Sequence, residues 1–309
     1  MSPLSTASAG SVPREVLSLA LIARLEERAL QYSNGLVRFA RAYPERFVQF
    51  GISEQNMVSA AAGMATTGMM PFIATFASFL ALLCCEQIRT DVAYCALPVR
   101  LIGHHAGITL GFYGTSHHAT EDLAIMRSIA DLTVVAPADG VQLALAIKAS
   151  IAHPQPIYFR IGRGQEPIVY ETATDFAFGK AIPHCDGQDL TVIACGTMVY
   201  PARQAVEALR RGGLSVGLID MPTIKPIDGE AVLEAAARSG LLLTVEEHNV
   251  IGGLGGAVAE ILAEAGIPAR LIRHGIKDEF NLVAPPTHLY RHYQLDADGI
   301  EALARKILT

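Results

Sequence analysis

The chain has 309 residues, 51% of them hydrophobic and 17% charged, with a formal net charge of −6. That length holds two ordinary domains, and the apolar excess calls for a large core or for surface covered by other subunits. The absence of a Lys/Arg cluster argues against nucleic acid or an anionic membrane as partner, and the longest apolar stretch, residues 72–85, is too short to span a bilayer.

Residues 1–13 read as a loose Ser/Ala/Gly/Pro-rich tail without the charged and apolar regions of a signal peptide. Over residues 14–31 the apolar positions recur at helical spacing, which predicts an amphipathic helix, and Tyr32-Ser33-Asn34-Gly35 ends it. A short helix over 36–43 stops at Pro44. The apolar run Phe47-Val48-Gln49-Phe50 predicts a strand, followed at Gly51-Ile52-Ser53-Glu54 by a helix rich in Ala and Gly. Glu54 therefore falls at a strand-to-helix junction, where open parallel sheets meet their ligands, although a carboxylate there also suits the helix dipole.

After a short strand, residues 75–94 predict one long helix beginning at Thr75-Phe76-Ala77-Ser78-Phe79. An apolar strand at 98–102 ends in Gly103-His104-His105-Ala106-Gly107, and a Gly-rich loop carries Tyr113, Thr115, Ser116, His117 and His118. Helices at 121–129 and 140–152 alternate with strands at 133–136 and 156–160. Beyond residue 165 the pattern dissolves, so 14–165 reads as one domain, 166–188 as a linker and 189–309 as a second alternating domain. The fold class is α/β, with two doubly wound domains.

Five cysteines without a C-x-x-C pair read as reduced thiols of a cytoplasmic protein. Gly252-Gly253-Leu254-Gly255-Gly256 lacks the spacing of a dinucleotide loop and reads as a tight structural turn. His104, His105, His117 and His118 do not have zinc-ligand spacing; beside Ser, Thr and Gly at strand ends they look like a polar active-site rim.

The runs Gly51-Ile52-Ser53-Glu54-Gln55-Asn56, Thr75-Phe76-x-x-Phe79, Thr115-Ser116-His117-His118 leading to Glu121-Asp122 and Met126-Arg127, and Ala136-Pro137-Ala138-Asp139 resemble the C-terminal half of transketolase. Ala194-Cys195-Gly196-Thr197 and Val245-Glu246-Glu247-His248 are similar to that family's C-terminal domain. The resemblance covers residues 33–309 and implies a pyrimidine-binding domain for thiamine diphosphate followed by a transketolase C-terminal domain. It implies Glu54 as the carboxylate that activates the cofactor and Phe76 and Phe79 as aromatic faces for its pyrimidine. His105 and His117 take catalytic and substrate-binding roles, and Arg160, with Arg163 as helper, binds a sugar phosphate. Tyr113 stands where the family has an acidic residue for substrate hydroxyls, and Ala29 where it has another carboxylate near the cofactor.

No Gly-Asp-Gly occurs in the chain. The resemblance therefore implies that the diphosphate and its divalent metal, magnesium, are held by an N-terminal transketolase subunit, with this chain assembled into a heterotetramer. The expected activity is transfer of a two-carbon ketol unit between sugar phosphates. A 1-deoxyxylulose-5-phosphate-synthase-like enzyme, a 2-oxo-acid decarboxylase beta subunit and an inactive scaffold paralogue are the alternatives.

Overall fold

The structure, a computed structural model, describes residues 20–22, 36–164, 166–171 and 176–309. The first sheet contains β1 (Ala20–Ile22), β2 (Phe47–Gln49), β3 (Phe72–Phe76), β4 (Arg100–His104), β5 (Thr133–Val135) and β6 (Ile157–Arg160), with β10 (Thr223–Lys225) arriving from the second half of the chain. Their order is β10-β5-β6-β4-β3-β1-β2. All are parallel except β10, which pairs antiparallel with β5. The second sheet orders β12 (Arg270–Ile276), β11 (Leu241–Asn249), β8 (Leu190–Ala194), β9 (Val216–Asp220) and the antiparallel edge strand β7 (Ile182–Cys185).

The order reverses between β1 and β3 in the first sheet and between β8 and β11 in the second. Such reversals open a crevice beyond the carboxyl ends of the strands, where doubly wound proteins bind ligands. The two halves share one apolar core: Met57, Leu80 and Leu123 of the first pack in the same cluster as Ile193, Met221 and Leu254 of the second. The exchange of β10 welds them further, since Ala136 N donates to Pro222 O at 2.7 Å and Gly196 N to Ala136 O at 3.0 Å.

The sequence reading changes at several places. Ala20–Ile22, expected within a helix, is a strand held on both sides, by β2 and β3. The rest of that predicted helix, with Ala29, lies outside the described residues. The long helix expected over 75–94 starts later, because Thr75 and Phe76 complete β3. It then runs as short helical turns, Phe79–Leu83, Cys85–Gln87 and Ile88–Ala93, the outer two of π type. Within the segment read as a linker, β7 pairs with β9, and Val169 and Tyr170 are buried through backbone N–H bonds to Asp139 of 2.7 and 2.8 Å. No helix among the described residues is long and apolar enough to cross a membrane.

Candidate active site

The helix Glu54–Ala65 starts directly beyond the carboxyl end of β2. Met57, Val58, Ala61, Ala62 and Ala65 form its buried face, and the small residues let it lie close on β3. Glu54 is carried into the interior with only 5% of its surface exposed, and its Oε1 has no hydrogen-bond partner among the described residues. Its charge reaches Cys84, whose thiol is pushed up to about 12, chiefly by burial and secondarily by the Glu54 carboxylate.

At the same end of the sheet Phe76 closes β3 and is ringed by other rings. Its centroid lies 4.9 Å from His104, 5.3 Å from His105, 5.4 Å from His117 and 5.4 Å from Phe79, all near edge-on. Phe76 and Phe79 are thus brought together from a strand end and a helix start, not from one helical turn as expected. Leu110 completes the apolar cluster. Ser116 Oγ contacts His117 Nδ1 at 2.9 Å, and the Tyr113 ring, 62% exposed, stands 4.8 Å from His117 at the rim.

The imidazoles are set for neutral chemistry. His105 is held down to about 4, first by burial and then by the nearby Arg163 guanidinium. His104 lies well below the ordinary histidine value, again through burial and then through His105. His104 ends β4, and their Nδ1 atoms approach to 2.6 Å. His118 is buried with them but is not in the ring cage.

Arg160 is not at this site. It is 4% exposed, and its Nε donates to Asp122 at 3.0 Å while Nη2 donates to the carbonyls of Ala119 and Glu247 at 3.1 and 2.7 Å. Tyr158 OH donates to the same Asp122 at 2.8 Å. Arg160 is a buried tether between the domains, its Nε and Nη2 engaged by protein oxygens. Arg163, exposed and beside His105, is the cation that faces outward.

Sequence reasoning missed the role of the second crevice. Glu247, 1% exposed at the end of β11, accepts from Ile108 N at 2.7 Å, Thr197 Oγ1 at 2.7 Å and Tyr290 OH at 2.8 Å. Ile108 belongs to the loop after β4, so the first domain plugs the crevice of the second. Gly107 has φ +63, and any side chain on it would collide with the Glu247 carboxylate. Neighbouring Glu246 accepts from Leu254 N and Gly255 N at 2.7 and 2.8 Å. The Gly-rich turn is therefore filled by the protein's own carboxylate, as its structural reading expected. The signal was available: two adjacent carboxylates closing an apolar strand need buried donors.

A cleft of about 550 Å³ adjoins this seam, lined by Thr109, Arg163, Thr197, Tyr200, Tyr290 and Arg291 among others, but not by Glu54, Phe76 or Phe79. Among the described residues no three His, Cys, Asp or Glu side chains are grouped to hold a metal ion.

Residues 23–167 match the family model described as the transketolase pyrimidine binding domain, and residues 179–300 the transketolase C-terminal domain. A putative transketolase C-terminal section from Methanocaldococcus jannaschii is 41% identical over 281 residues, covering 90% of this chain and 87% of that one. The 6-deoxy-6-sulfo-D-fructose transketolase subunit SqwH of a Clostridium species is 36% identical over 278 residues, covering 90% and 86%. A solved structure described as a split-gene transketolase, an inactive β4 tetramer, superposes with a TM-score of 0.85 at 37% identity, covering 94% of this chain and 92% of that one.

Proposed function

Because the chain belongs to the transketolase family, we propose that it holds the pyrimidine half of thiamine diphosphate in a two-chain enzyme. With its partner it transfers a two-carbon ketol unit between sugar phosphates. The observation that carries this reading is the buried Glu54 Oε1, without a partner among the described residues, at the same end of the sheet as a cage of rings. A polar atom shut away from water without a partner costs about 1–3 kcal/mol, and an aminopyrimidine nitrogen provides the missing hydrogen bond. Phe76 and Phe79 offer apolar faces to that ring.

When bound, the cofactor would supply an acidic thiazolium carbon as the nucleophile for ketol transfer. Glu54 anchors and polarises the pyrimidine through its free oxygen. His105 and His117 hydrogen-bond substrate oxygens, His105 as the neutral imidazole at pH 7. Arg163, in place of the tethered Arg160, meets the substrate phosphate. The diphosphate and the magnesium belong to the N-terminal partner subunit, since this chain lacks Gly-Asp-Gly.

The partner face includes the exposed Ile52, Leu82 and Leu83, near Glu54 where Gln55 Nε2 donates to Leu83 O at 2.9 Å. The split-gene relative is described as an inactive β4 tetramer; alone, this chain is expected to self-associate without activity, and to enter a heterotetramer with its partner. Tyr113 at the rim, where the family has a carboxylate, suits a modified sugar, in keeping with a relative named for 6-deoxy-6-sulfo-D-fructose.

Titrating thiamine diphosphate and magnesium into the co-purified subunits, with ketose phosphate donors and aldehyde acceptors, tests the reading. Saturable ketol transfer is the expected result. Turnover of pyruvate without ketol transfer would replace it with a decarboxylase or deoxyxylulose-phosphate-synthase reading, and no cofactor binding would leave a scaffold.

A further inference from the structure

Successive residues leaving a strand point to opposite sides, yet His104 and His105 put their rings on the same side. His105 does this by taking φ +56, a left-handed conformation that a non-glycine residue adopts only at a cost. The turn is held by backbone bonds from His105 N to Gly162 O and from Ala106 N to Ile161 O, both 3.0 Å. The result is an Nδ1-to-Nδ1 contact of 2.6 Å with the ring centroids 4.8 Å apart at 71°.

Two nitrogens at that distance need one proton between them: two lone pairs repel, and two N–H groups clash. The other nitrogen of His104 decides which ring owns it. His104 Nε2 is buried with no partner among the described residues. A proton there would be an orphaned buried donor, which folded proteins rarely tolerate. The proton of His104 thus sits on Nδ1 and is donated to His105 Nδ1. Neutral His105 must then carry its own proton on Nε2.

We propose that His104 is a positioning residue that locks His105 as its Nε2–H tautomer, so that His105 meets substrate oxygen as a hydrogen-bond donor and not as a base. The inference rests on the proposed function for its substrate, but not for its tautomer. The Phe76 ring, packed against both imidazoles, keeps the pair in register.

Neutron diffraction from deuterium-exchanged crystals of the full-length chain locates the protons directly. Deuterium on His104 Nδ1 and His105 Nε2 is expected; deuterium on His105 Nδ1, alone or with Nε2, overturns the proposal. Kinetics of the co-purified enzyme add a second arm. His104→Asn keeps a donor near the Nδ1 position and should retain kcat. His104→Leu removes it and should lower kcat about ten- to a hundredfold, below the hundred- to ten-thousandfold of a direct acid–base group, with KM changed little. A wild-type kcat in His104→Leu also overturns the proposal. If that variant does not fold, the neutron result decides alone. A chain with the expected deuterons but no ketol transfer would sink the functional reading and leave the tautomer standing.

Discussion

Glu54 and Glu247 are both buried carboxylates at the carboxyl ends of doubly wound sheets, and they have opposite fates. Glu247 has three donors, and its crevice is stopped by the loop around Ile108. Glu54 has an oxygen with no partner among the described residues. One fold rule, a crevice at the strand reversal, has been used once as a socket for the neighbouring domain and once as a place left incomplete. A satisfied network stabilises a structure; an unsatisfied one is a cost that a ligand can remove.

The sharpest way to break this contrast is to exchange the phenotypes. Glu247→Ala leaves three buried donors without an acceptor and should destabilise the chain by about 3–5 kcal/mol, read from urea unfolding by circular dichroism. A loss below about 1 kcal/mol would mean the socket is not what joins the domains.

Glu54→Gln keeps the shape of the side chain. It should leave the unfolding midpoint unchanged while lowering ketol transfer by the co-purified enzyme at least about a hundredfold. Full activity in that variant would remove the central assignment.

The plugged end should also mark itself in the pH dependence of stability. Burial raises Asp220 from the ordinary 3.8 to about 7, and Glu246 from 4.5 to about 7. A carboxyl raised in this way binds its proton more tightly in the folded chain than in the unfolded one. Its contribution is full below pH 4 and declines as the pH rises from 4 toward 7. Asp220→Asn should flatten that decline in unfolding free energies measured from pH 4 to 8, and an unchanged slope would refute it.

The smallest effect belongs to the rim of the open end. Tyr113→Asp should shift the preference between modified and ordinary ketose phosphates toward the ordinary ones by about ten- to a hundredfold, the effect of roughly 1.5–3 kcal/mol from a hydrogen bond to a charged group. Unfolding should not change. If wild type already prefers ordinary substrates and the substitution alters nothing, Tyr113 has no part in selectivity.

What the sequence disclosed follows the same division. The alternating pattern gave both domains, and local runs such as Ser53-Glu54-Gln55 and Thr115-Ser116-His117 marked the open end because their chemistry is carried by neighbours in the chain. The plugged end was hidden because its partners are distant: Arg160 meets Asp122 38 positions away, and Glu247 meets Ile108 139 positions away. Nothing near Arg160 distinguishes a tether from a phosphate ligand. The strand Ala20–Ile22 escaped for another reason. Three residues are too few to set a period of two against the helical spacing around them, and the strand exists through pairing on both of its sides.

The crossing of β10 onto β5 bears on modularity. Two family models meet near residues 167–179, which suggests a place to cut. Separating the pieces would strip β5 of β10 and leave the side of β5 away from β6 as a bare row of backbone donors and acceptors, the kind of edge that recruits foreign strands. The severed second piece would carry Thr223–Lys225 as a strand with nothing to pair with. The boundary between the two family domains is therefore not the line along which the two sheets divide.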